Sequence, residues 1–143
     1  MTIPARISIV TLGVADLERS KAFYSALGWE LASSSQDEIC WFHTADTNLG
    51  LFAFDALAED AGLPAEPRKG FGGITLAINV ESEDAVTVGL DAAVKAGGTI
   101  IKPAVKAEWG GFSGYFADPD GYPWEIAHNP FFTIEGTGRV AIP

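Results

Sequence analysis

The chain has 143 residues, 48% of them hydrophobic and 20% charged, a composition that excludes wholesale disorder and fits one domain spanning 1–143. Its 19 acidic and 9 basic residues give a net charge of -10, with the basic ones scattered, which argues against nucleic acid as a partner and for a solvated acidic surface. No apolar run reaches the roughly 20 residues of a membrane span, Met1–Arg6 does not read as a signal peptide, and Cys40 is the only cysteine, so a cytoplasmic location is expected.

The first apolar run, Ile7–Val14, is rich in β-branched residues and predicts a strand. Asp16 is a helix N-cap, Leu17, Phe23, Tyr24 and Leu27 recur at helical spacing, and Gly28 is the stop. Three short strands follow at Trp29–Ala32, Ile39–His43 and Leu49–Phe54, separated by turn formers. Ala56–Gly62 has room for one or two helical turns, and Pro64, Pro67, Gly70 and Gly72 make 56–72 a connector. The order then repeats. Gly73–Val80 reads as a strand, Ser82 as an N-cap, and Val86, Leu90 and Val94 as an apolar stripe ended by Gly97 and Gly98. Thr99–Ile101, Gly114–Ala117 and Trp124–Ala127 complete the set. Ile74-Thr75-Leu76 echoes Val10-Thr11-Leu12 at a shift of 64 residues, close to half the chain. The expected architecture is therefore α+β: two tandem βαβββ modules, about 6–55 and 73–128, forming a curved mixed sheet, an open barrel, around a cavity with the helices outside. In the tail, 129–143, adjacent Phe131 and Phe132 are expected to cover the core or a partner subunit.

Two segments carry a resemblance. The opening Val10-Thr11-Leu12-Gly13-Val14-Ala15-Asp16-Leu17-Glu18-Arg19-Ser20 with Phe23-Tyr24 and Leu27-Gly28, and the closing Phe116-Ala117-Asp118-Pro119-Asp120-Gly121-Tyr122-Pro123-Trp124-Glu125-Ile126, resemble the vicinal oxygen chelate superfamily. That superfamily includes glyoxalase I, extradiol dioxygenases, methylmalonyl-CoA epimerase and bleomycin-resistance proteins, and the similarity spans residues 6 to 129. Trp109–Tyr115 with His128-Asn129-Pro130 looks like a glyoxalase-like subgroup without an assigned activity. The Asp118-Pro119-Asp120-Gly121 turn has a structural reading: proline presets φ and glycine takes the left-handed conformation.

The resemblance implies a divalent ion held from four strands and acting as a Lewis acid on substrate oxygens. The four ligand positions fall on Ile9, on Leu51 or Phe52, on Gly73 and on Glu125. Only Glu125 has a lone pair to give, so no cofactor is expected. A rebuilt site using His43 or His128 is the alternative, though Glu125 and His128, three apart, point to opposite faces of an extended strand. Alternation puts Trp124 and Ile126 on one face and Glu125 and Ala127 on the other, so Glu125 is expected to face the cavity, where it pairs, stays protonated, binds a ligand or acts as general base for a C–H acid. Trp41, Phe52, Phe54, Trp109, Phe112 and Tyr115 are the expected aromatic walls, the last three around a glycine-rich stretch that admits a flat ligand. Acidic surface and aromatic walls suit a planar or cationic organic compound. Three readings follow: a metal-free binding protein of the bleomycin-resistance kind, which is favoured; a lyase, isomerase or dioxygenase with an atypical metal site or none; and a partner-binding domain with a vestigial cavity. A homodimer is expected because relatives usually pair near the site.

Overall fold

The computed structural model describes residues 2–143. Its first module runs β1 (Ile9–Val14), α1 (Leu17–Ala26), β2 (Ile39–His43) and β3 (Asn48–Ala53), followed by α2 (Phe54–Asp60). The second runs β4 (Leu76–Asn79), α3 (Glu83–Ala96), β5 (Thr99–Lys106), β6 (Phe112–Ala117) and β7 (Pro123–His128), and a tail hairpin of β8 (Thr133–Ile134) and β9 (Val140–Ala141) closes the chain. The strand orders are β1-β3-β2 and β4-β7-β6-β5. In each module the first strand pairs in parallel with the last, and the remaining pairs are antiparallel. That shared topology bears out the two-module α+β expectation. The open barrel exists as two separate half-sheets: α1 packs on one face of the first, α2 meets its other face at Gly13, and α3 packs on one face of the second.

Both predicted N-caps are present: Asp16 accepts from Arg19 N at 3.1 Å and Ser82 from Ala85 N at 3.0 Å, each satisfying a helix N–H that has no backbone partner. Gly97, left-handed at φ 113°, ends α3. The stripe on α3 differs from expectation. Val86 and Leu90 are buried, but the third buried position is Ala93, and Val94 is exposed. At about 100° per residue, seven residues return a side chain to within about 20° of its starting direction, whereas eight overshoot by about 80°.

Other boundaries move for local reasons. The strand expected at Trp29–Ala32 is only a bridge between Leu31 and Phe42. There Ser35 Oγ accepts the Trp41 N–H at 3.0 Å, a side chain taking a donor from the ladder. The strand expected from Gly73 begins at Leu76, because Gly73 bends the chain with φ at 85°. α2 starts at Phe54, two residues earlier than expected, which removes Phe54 from β3. Conversely β5 extends to Lys106, with register shifts between Ile100 and Lys102 and between Lys102 and Val105, the second spanning Pro103, a residue without an N–H for the ladder.

The core is a single cluster shared by both sheets. α1 lies between them: the Tyr24 ring stands 5.9 Å from Phe42 of β2 and 5.9 Å from Trp124 of β7. α3 packs on β6 and β7, where a Cβ on Gly114 would come within 2.7 Å of Leu90 and 2.9 Å of the Ala104 nitrogen. The Asp118-Pro119-Asp120-Gly121 turn locks the halves together. Asp118 Oδ2 accepts from the Tyr24 hydroxyl at 2.7 Å, and Oδ1 accepts from the backbone of Asp120 and Tyr122. Asp120 accepts from Ala15 N at 2.8 Å and Ser20 Oγ at 2.9 Å, at the start of α1. Its carbonyl accepts from Arg68, whose guanidinium lies 3.8 Å above the Tyr122 ring and pins the connector.

Candidate functional site

Strand alternation divides each sheet into a face turned to the helices and a face turned away. On the first sheet Leu12, Cys40, Phe42, Leu49 and Leu51 are buried toward α1, leaving Ile9, Thr11, Trp41, Gly50 and Phe52 on the other face. Gly50 keeps that face tight: a Cβ there would meet Thr11 Oγ1 at 3.0 Å, Ile9 at 3.3 Å and Trp41 at 3.4 Å. On the second sheet Trp124 and Ile126 are buried toward the helices, and Glu125 and Ala127 occupy the opposite face, half-buried, as alternation predicts. Tyr115 and Glu125 are direct partners across β6 and β7. Burial, and after it the Glu125 carboxylate, pushes the Tyr115 phenol above its ordinary value, so at neutral pH it is a proton donor beside a carboxylate.

The seven residues singled out from sequence are not gathered into one enclosed cavity. Trp41 and Phe52 share the face of the first sheet turned away from α1, and Tyr115 and Glu125 the face of the second turned away from α3. Phe112 lies on the other face of β6, with Gly114 and Phe116, and packs against the core. Phe54, at the start of α2, lines a cleft of about 520 Å³ with Gly13, Pro67, Arg68 and Asp120 (away from Glu125 and Trp41). Trp109 sits in the β5–β6 loop, 58% exposed. Its indole folds over Gly111, where a Cβ would fall 2.2 Å from the ring, and its centroid lies 6.5 Å from that of Phe131. Phe131 is 65% exposed and does not cover the core. The pairing of these two aromatics had no sequence signal, since 22 residues separate them.

The family's divalent ion does not fit the residues present. Ile9 and Phe52 offer carbon alone, Leu51 is buried on the wrong face, and Gly73 has no side chain. β7 stays in register with β6 through His128, so Glu125 and His128 remain on opposite faces, and His128 Nδ1 lies 3.1 Å from the Val80 carbonyl. Among the described residues no three His, Cys, Asp or Glu side chains come together as a metal-binding group.

A family model described as the Glyoxalase/Bleomycin resistance protein/Dioxygenase superfamily matches residues 6–126, and the chain belongs to that superfamily. Among solved structures it is similar to a glyoxalase-related enzyme from Fulvimarina pelagi, at 36% identity and TM-score 0.88, covering 97% of this chain and 99% of that one. It shares the fold of a glyoxalase/bleomycin resistance protein/dioxygenase family enzyme from Burkholderia phytofirmans PsJN, at 22% identity and TM-score 0.78, covering 87% and 98% of the two chains. It also shares that of a lactoylglutathione lyase from Agrobacterium tumefaciens, at 20% identity and TM-score 0.67, covering 90% and 96%. No protein of curated function matches the sequence significantly. Among the described residues no helix is long and apolar enough to cross a membrane.

Proposed function

We propose that this protein binds a small planar organic molecule against the faces of its two sheets turned away from α1 and α3, without the family's usual divalent ion, and serves to sequester or carry it in the cytoplasm. The observation that carries the reading is the pair Ile9 and Phe52 at ligand positions on the face that also bears Trp41, with Glu125 left as the only donor of the four. Half-buried aromatics there offer flat apolar area, and Glu125 with Tyr115 offers one polar anchor. The proposal includes a homodimer in which a second copy completes the cavity beside these faces; elution as a monomer would contradict it.

Elemental analysis tests the metal half of the proposal, on protein purified without chelators and again after incubation with Mn, Fe, Co, Ni and Zn. Less than about a tenth of an equivalent is expected in every case, given how few donors are present. One tightly held equivalent, lost on Glu125→Ala, would overturn it. Trp41→Ala is expected to weaken a ligand found by screening flat compounds about tenfold, the worth of one aromatic contact.

A second reading is supported by the Tyr115–Glu125 pair and by the similarity to the glyoxalase-related enzyme from Fulvimarina pelagi. Glu125 then acts as general base on a C–H acid while Tyr115 donates to the developing oxyanion. Glu125→Gln would cut kcat at least a hundredfold with little change in KM; retained turnover would remove this reading.

A further inference from the structure

A second cleft, of about 600 Å³, opens on the opposite side of the sheets, between β1 and β4, and none of its lining residues belongs to a helix. Its volume is that of a site for one small organic molecule. Val10, Leu49, Leu76, Ile78, Trp29 and Trp124 wall it. The indoles of Trp29 and Trp124 meet edge to face, 5.5 Å apart and at 80°, which leaves the cleft an aromatic wall of fixed orientation. The tail hairpin borders it: Gly138, Arg139 and Val140 line the cleft, and Arg139 Nε reaches Asp46 Oδ2 at 3.3 Å.

The charges in and around the cleft are unequal. Arg139 is its cation, already held by two carboxylates, Asp46 at 3.3 Å and Glu135 at 3.6 Å. Glu30, next to Trp29, lines the same cleft and has no ion-pair partner among the described residues. A carboxylate beside an aromatic wall recognises a flat cation by charge and by the face of the ring together. We propose that this inter-sheet cleft is a binding site for a planar aromatic cation, with Trp29 as the platform, Glu30 as the counter-charge and the hairpin carrying Arg139 as a strap along its rim. The site is independent of whatever occupies the faces bearing Trp41 and Glu125.

The test uses the full chain and proflavine, a planar aromatic cation, with 1-anilinonaphthalene-8-sulfonate as a planar anion of similar size, each followed by equilibrium dialysis. Saturable proflavine binding is expected, weakened about tenfold by Glu30→Gln, with the anion bound at least tenfold more weakly. Glu30 is exposed, so Glu30→Gln leaves the fold intact, which circular dichroism checks. Equal binding of the two probes, no saturable binding, or loss on Glu125→Gln with Glu30→Gln unchanged would each overturn the proposal. The last result would place the probe on the faces assigned above, and so leaves that reading standing while this one falls.

Discussion

Asp118 shows how one residue can be read correctly as structural and still be underestimated. The turn chemistry of Asp-Pro-Asp-Gly explains two of its bonds, to the backbone N–H groups of Asp120 and Tyr122. The third, from Tyr24 of the other module, and the Trp124 Nε1–H donated to that same hydroxyl at 3.0 Å, join residues about a hundred positions apart and leave no local trace. Burial pushes the Asp118 carboxyl up from 3.8 although the bonds from Tyr24, Tyr122 and Asp120 pull it down, and burial likewise pushes the Tyr24 phenol far above its usual range. A carboxyl raised in the folded state binds its proton more tightly there than in the unfolded chain. Its favourable contribution is therefore complete below 3.8 and is lost as pH rises through the folded value. Asp118→Asn removes that titration and also strands the Tyr24 proton, at a cost of about 1–3 kcal/mol. Urea unfolding across pH 3 to 7 should show the wild-type advantage over Asp118→Asn largest at the acid end and shrinking as pH rises. A constant difference would mean that Asp118 keeps an ordinary carboxyl in the fold.

At the scale of elements, the helices were the most legible part of the chain and the edges of the sheets the least. Asp16, Ser82 and Gly97 announce helix ends through local hydrogen bonds and φ, which a sequence displays directly. The Leu31 bridge and the register shift of β5 across Pro103 depend on a serine side chain and a proline acting on a neighbouring strand, which it does not. Gly114 belongs to the second kind. Nothing in its neighbours distinguishes it, yet α3 and the bulged β5 approach β6 closely there because it has no side chain. Gly114→Ala should cost about 1–3 kcal/mol through overpacking. The control Gly136→Ala, with nothing within 4 Å of its added methyl, should change stability by less than about 0.5 kcal/mol. Equal effects in urea titrations would show that the helix can back away.

For the whole molecule, the tandem echo at 64 residues and the two flanking motifs specified the module topology, because duplicated strands keep both their apolar alternation and their pairing partners. The site was legible in part. Alternation placed Glu125 opposite Trp124 and Ile126, but it could not decide which face of β6 Phe112 takes, or that Phe54 leaves its strand for α2. Neither the inter-sheet cleft nor the hairpin bordering it was visible, since both arise where segments from the two modules meet.

The seam formed by Tyr24, Asp118 and Trp124 also sets an order in time. During synthesis α1 emerges early, with its N-cap and its apolar face complete, but the acceptor for its buried hydroxyl lies 94 residues further along. Until that stretch leaves the ribosome, the first module carries an aromatic helix face covered only from its own side, by Phe42 of β2, with the Tyr24 hydroxyl left to water. The interlock between the two modules waits for the β6–β7 hairpin, and a nascent chain stopped before it would be the species most in need of a chaperone.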